Sequence, residues 1–118
     1  MSTKIVLLVD DDHDVHVLVR ILFRRLQRPE LTLIIAPDGV AALERLAAHP
    51  GEVALILTDV NMPRLDGHGL IREARAAGYA GPIVLIGAIA NTAHAADEWV
   101  EKDSLLARLP ALLTHYVG

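Results

Sequence analysis

Two acidic segments each follow directly on an apolar run: Asp10-Asp11-Asp12 after Ile5–Val9, and Asp59-Val60-Asn61-Met62-Pro63 after Val53–Thr58. Short apolar runs that end abruptly in charge read as buried parallel strands. If the two strands are neighbours, their carboxyl ends bring at least three carboxylates to one edge of a sheet. That gathering is costly in a partly desolvated cleft unless a cation accompanies it. All-oxygen ligands select a hard divalent ion, and Mg²⁺ with room left for a phosphate is the economical occupant. A carboxylate there can act as a nucleophile toward phosphorus, giving an aspartyl phosphate. The incoming phosphoryl group is itself negative, so a cation must bridge and neutralise it. A lone Asp after a strand is more often a turn cap; the Asp10-Asp11 pair and the Met62-Pro63 turn weigh against that for Asp59.

The elements that must position these acids alternate along the chain. After the first strand, Val15, Leu18, Val19, Leu22 and Leu26 recur at helical spacing, with Asp14 as the expected N-cap and Pro29 as the stop. Leu31–Ala36 is expected as a second strand, and Pro37-Asp38-Gly39 turns into a helix carrying Val40, Leu43 and Leu46. That helix closes near His49-Pro50-Gly51. A turn at Pro63–Gly67 follows the Asp59 strand, then a third helix with Leu70, Ile71 and Ala74 that stops at Gly78. Pro82 opens a fourth strand, Ile83–Ile86. Alternation of this kind predicts a parallel sheet with right-handed crossovers and helices on both faces. Ligand sites in such sheets lie at the carboxyl ends of the strands, where both acidic segments fall.

Composition fits one domain spanning residues 1–118. The chain is 53% hydrophobic and 22% charged, a globular balance, and long enough to bury a core. It has no cysteine, which excludes disulfides, thiolate catalysis and cysteine-ligated zinc. The apolar run Ile5–Val9 is too short for a signal peptide or a membrane span, so a cytoplasmic location and no membrane partner are expected. A net charge of −4 argues against direct nucleic-acid binding.

The stretches Ile5–Asp14 and Leu57–Gly67 resemble the receiver domain of two-component response regulators, and the likeness runs from residue 4 to about residue 88, more loosely to the end. The resemblance implies a flavodoxin-like, doubly wound parallel sheet of five strands in the order 2-1-3-4-5. It implies that Asp59 is the phosphoacceptor, that Asp10 and Asp11 hold Mg²⁺ together with Asp59, and that the Asn61 backbone carbonyl is a further ligand. An alternative register would use Asp11 and Asp12. The implied phosphodonor is a histidine kinase or histidine phosphotransfer protein, with an unspecified downstream protein and a homodimer as further partners. Any enzymatic activity would be limited to the chain's own phosphorylation and dephosphorylation. A haloacid-dehalogenase-type phosphatase would need a second acid where Asn61 stands. A flavodoxin would need a phosphate loop where the three Asp stand.

Three departures qualify the resemblance. The family places Ser or Thr at the end of the fourth strand, and this chain has Gly87, followed by the small Ala88. Both positions are expected at the phosphoryl group, although glycine has no side-chain donor, and one lost charge-assisted hydrogen bond is worth about 1.5–3 kcal/mol. The family's fifth strand carries an aromatic three residues before a Lys, supplied here by Trp99 and Lys102, but Asp103 replaces the usual proline. Only Ile89–Asp97 separate the fourth strand from the fifth, where a parallel crossover takes roughly a dozen residues or more. The helix between them is therefore expected to be lost or strongly shortened. A competing reading makes Thr92 an N-cap and Ala93–Lys102 a helix, with no fifth strand. A last helix is expected over Ser104–Tyr116, kinked or begun at Pro110. These departures support an alternative function: a degenerate receiver that binds protein with weakened or absent switching.

Two smaller features complete the reading. Arg20, Arg24, Arg25 and Arg28 give the first helix a basic face, either a docking surface for a phosphodonor or a solvated face. His13 and His16 have metal-compatible spacing but no third ligand, and read as polar residues flanking the acidic cleft.

Overall fold

The computed structural model describes residues 3–88 and 95–118. In chain order the elements are β1 (Lys4–Val9), α1 (His13–Leu26), β2 (Leu31–Ala36), α2 (Gly39–Ala48), β3 (Val53–Asp59), α3 (Gly67–Ala76), β4 (Ile83–Gly87), β5 (Glu98–Glu101), a 3₁₀ turn (Lys102–Ser104) and α4 (Leu105–Tyr116). The five strands form one sheet in the order β2-β1-β3-β4-β5, and every pairing is parallel.

Alternation along the strands divides the core into two layers. Val6 and Leu8 of β1, Leu55 and Leu57 of β3, and Val84 and Ile86 of β4 face one side, where Val19 of α1 and Leu105, Leu109 and Leu112 of α4 cover them. Leu7 and Val9, Ile56, and Ile83 and Leu85 face the other, against Ala42 of α2 and Leu70 and Ile71 of α3. A strand buried on both faces must be apolar throughout, which is why β1, β3 and β4 read as continuous hydrophobic runs. Each fully buried Leu or Ile contributes about 1.5–3 kcal/mol.

The helix ends depart from the sequence-based expectations in small ways. Asp12, not Asp14, caps α1, its side chain accepting from the Asp14 backbone N–H. The helix closes before Pro29, at Gln27 in the left-handed conformation (φ 49°). Pro110 lies in the interior of α4 rather than in its first turn. The carbonyl that its missing N–H would have bonded belongs to Leu106, which is exposed to water.

The fifth strand exists, so the competing helix over Ala93–Lys102 is overturned: Glu98–Glu101 pairs with Val84–Gly87. Pairing with β4 outweighs the helical propensity of the alanines. Among the described residues between β4 and β5, Ala88 and 95–97, there is no helix. The expected Thr92 cap lies outside the described residues.

Candidate functional site

The carboxyl ends of β1 and β3 lie side by side, with Val9 opposite Thr58. This register places Asp10 and Asp59, the residues at the ends of the two runs, next to each other at the sheet edge. Both are buried, whereas Asp11 is exposed. One carboxylate oxygen from each of Asp10, Asp11 and Asp59 falls within a cluster no wider than 4.8 Å.

The hydrogen bonds in the cluster leave oxygens pointing inward. Asp10 Oδ1 accepts from the Asp12 backbone N–H at 2.9 Å, and Asp59 Oδ1 accepts from the Val60 N–H at 2.8 Å. Asp10 Oδ2 is buried and has no hydrogen-bond partner among the described residues. Lys102, in the turn after β5, approaches from the opposite flank: its Nζ lies 3.4 Å from Asp59 Oδ2 and 3.6 Å from Asp10 Oδ2.

The electrostatics follow from this crowding. Burial pushes the Asp10 carboxyl above its ordinary range, and the charges of Asp59 and Asp11 add to the rise against a backbone hydrogen bond and Lys102. Burial also opposes the Lys102 ammonium, but Asp10 and Asp59 outweigh it and hold the lysine above its ordinary value. Three acids face one lysine, and a buried oxygen lacks a hydrogen-bond partner. That donor set, all oxygen and short of positive charge, fits a hard divalent cation such as Mg²⁺.

The loop after Asp59 is fastened to the rest of the site. The Gly67 N–H donates to the Val60 carbonyl at 2.8 Å, and the Thr58 hydroxyl donates to the Asp59 carbonyl at 2.9 Å. A Cβ on Gly67 would lie 3.0 Å from Val60 Cα and closer still to the Asp59 carbonyl oxygen, so only glycine lets α3 start this near the acid. Arg64 takes a left-handed conformation (φ 71°), and its Nε lies 3.5 Å from Asp38 Oδ2. Asn61 is exposed on this loop.

At β4, Asp59 is opposite Ile86, so Gly87 and Ala88 follow one and two steps beyond it on the adjacent strand. Gly87 is buried and Ala88 exposed. The His13 and His16 rings meet edge to face at 5.9 Å, and no described cation-ligand cluster includes them. His16 Nε2 instead bonds the Asp10 backbone carbonyl at 2.5 Å. The motif reading leaves out Thr58 and Arg64; it has Gly67 only as the end of a turn, and His16 as a polar residue flanking the acidic cleft, without its bond to the Asp10 carbonyl.

An acid cluster at the switch edge of a 2-1-3-4-5 parallel sheet defines a receiver architecture, and the family comparison agrees. The model of the response regulator receiver domain matches residues 6–104, and the chain belongs to that family. Among curated relatives, response regulator MprA of Mycobacterium ulcerans is 40% identical over 96% of this chain and 51% of its own length. MprA of Mycobacterium avium is 37% identical over 92% of this chain and 50% of its own length. The chain thus spans about half the length of the curated relatives it matches.

Among solved structures, chemotaxis protein CheY4 of Vibrio cholerae superimposes with a TM-score of 0.83 at 22% identity, covering 98% of this chain and 99% of that one. The receiver domain of sensor histidine kinase PA1611 of Pseudomonas aeruginosa gives 0.81 at 25% identity and 99% coverage of this chain; in that structure a magnesium ion is coordinated in the active-site cleft. Among the described residues no helix is long and apolar enough to cross a membrane.

Proposed function

We propose that this chain is a phosphorylation receiver domain in which Asp59 accepts a phosphoryl group from a histidine kinase or histidine phosphotransfer protein. One observation carries the reading: Asp10, Asp11 and Asp59 oxygens share a 4.8 Å cluster in which a buried Asp10 oxygen lacks a hydrogen-bond partner. Asp10, Asp11, Asp59 and the Asn61 backbone carbonyl would hold Mg²⁺. When bound, the ion neutralises charge on the transferring group.

The protein's own residues do the rest. Asp59 supplies the nucleophilic oxygen through Oδ2, because Oδ1 is engaged by the Val60 N–H. As the new O–P bond forms, the P–N bond to the donor imidazole breaks and the imidazole leaves with its electron pair. Lys102, held charged by Asp10 and Asp59, provides a cation on the opposite flank. Gly87 and Ala88 border the incoming group with backbone and one methyl, and neither offers a side-chain hydroxyl.

Intact mass after incubation with acetyl phosphate and Mg²⁺ tests the reading. The expected result is a gain of one phosphoryl group in the native chain and none in Asp59→Asn. An unmodified native mass under saturating donor would favour the second reading, a protein-binding module without phosphorylation-driven switching. Gly87 is the specific observation on that side. In either reading the expected location is the cytoplasm.

A further inference from the structure

Trp99 and Gly87 belong to one packing unit. In the parallel register Leu85 is opposite Trp99 and Gly87 is opposite Glu101, so Gly87 lies two residues beyond Trp99's partner on the same sheet face. The indole leans diagonally from β5 onto β4 and covers Gly87. A Cβ built on Gly87 would lie 2.8 Å from Cη2 and 3.2 Å from Cε2 of Trp99, and nearer still to Cζ2. The atoms in the way are a rigid bicyclic ring, not the end of a flexible chain, so they cannot yield locally. The ring packs on the layer that contains Ile83 and Leu85, with Tyr79 and Ala96 on the same layer.

This contact is next to the nucleophile. Asp59 is opposite Ile86, and Gly87 is the following residue. The volume that a side chain at position 87 would take, one step past the partner of Asp59 on β4, is therefore taken by the indole.

We infer that Trp99 is a fixed wall over Gly87 at the carboxyl end of β4, one step past the partner of Asp59, and that it keeps this position whether or not Asp59 carries a phosphoryl group. The second half rests on the reading of Asp59 as phosphoacceptor. A bound group shifts an equilibrium only through contacts that differ between two states. Position 87 has no side chain to reach a phosphoryl group in one state and withdraw in the other, so nothing there rewards movement of the ring. Moving the ring away would uncover Gly87 and forfeit close-packed contacts. Trp99 is a positioning residue, and with Gly87 it forms a lock rather than a switch.

Trp99 is the only tryptophan, so its emission reports the wall directly. In the free protein, Gly87→Ala should expel the ring, shifting emission to the red and lowering Tm by about 5–10 °C. In a Trp99→Leu background most of that loss in Tm should vanish, because the obstructing ring is gone. A Gly87→Ala chain that fails to fold but is rescued by Trp99→Leu gives the same support. Unchanged emission and Tm in Gly87→Ala would overturn the wall, as would equal losses in both backgrounds.

The second arm adds beryllofluoride and Mg²⁺ to the native chain, with ¹⁹F NMR reporting binding independently of tryptophan. Binding with unchanged Trp99 emission supports the lock, and binding with a clear emission change overturns it. Absence of a bound ¹⁹F signal would remove the phosphoacceptor reading and with it the state-independence. The wall itself would then stand or fall on the Gly87–Trp99 mutant cycle.

Discussion

Asp97 and Ile83 are joined by two hydrogen bonds of 2.8 Å: the Asp97 N–H donates to the Ile83 carbonyl, and Asp97 Oδ2 accepts from the Ile83 N–H. The pair fastens the approach to β5 onto the first residue of β4. Arg75 of α3 extends the fastening, with its guanidinium 3.4 Å from the same Asp97 oxygen. A crossover too short for a full helix thus still delivers β5 in parallel register.

Asp97→Ala should destabilise the fold by about 1–3 kcal/mol, because it strands the N–H of the buried Ile83. Chemical denaturation measures the loss. Asp97→Asn should recover part of it, since an amide oxygen can accept the same bond. Equal stability of Asp97→Ala and the native chain would show that the side-chain bond contributes nothing.

Asp11→Ala and Lys102→Met should move Mg²⁺ affinity in opposite directions. Loss of Asp11 removes a ligand and should weaken binding by more than about tenfold. It should also raise Tm in chelator, because the charge of Asp11 opposes ionisation of buried Asp10. Loss of Lys102 removes a competing cation from Asp10 and Asp59, so Mg²⁺ should bind more tightly while the metal-free Tm falls. Calorimetric titration and thermal melts check both pairs of outcomes.

The stabilisation by Mg²⁺ should depend on pH in a definite sense. The folded-state pKa of Asp10 is raised above its unfolded value of 3.8, so its burial penalty is absent below that value and sets in as pH rises through the folded pKa. In chelator, Asp10 therefore subtracts stability at neutral pH. Mg²⁺ needs the ionised form, so its contribution to Tm should be largest at neutral pH and shrink as pH falls through the raised Asp10 pKa. Melts with Mg²⁺ and with chelator across the acid range give the difference, and Asp10→Asn should abolish it.

Gly67→Ala should cost about 1–3 kcal/mol and displace Asp59, because the new methyl group would meet the Asp59 carbonyl, Val60 Cα and Leu85. The expected signature is lower stability together with weaker Mg²⁺ binding. A destabilised variant with native Mg²⁺ affinity would show that the loop and the acid cluster are mechanically separate.

Much of this arrangement was legible in the residues. The continuous apolar runs of β1, β3 and β4 announced strands buried on both faces, and the charges ending them marked the site edge. Helix caps were less legible: Asp12 and Asp14 are chemically equivalent candidates, and only the backbone distinguishes them. The edge strand β5 is four residues long and follows helix-favouring alanines, so local preference opposed the pairing that decides it. The supporting bonds of Thr58 and His16 go to backbone carbonyls, and no spacing rule in the sequence encodes those.

Asp10, Asp59 and Lys102 come from the first strand, the central strand and the turn after the last. No contiguous half of the chain contains all three, so the charge balance at this edge, acids together with the lysine that neutralises them, is a property of the finished sheet. A cation bound there stabilises, by mass action, the state in which β1 and β3 lie side by side. Docking of β5 onto β4 is therefore the step that trades cation affinity for metal-free stability, because it brings a competing ammonium to Asp10 and Asp59.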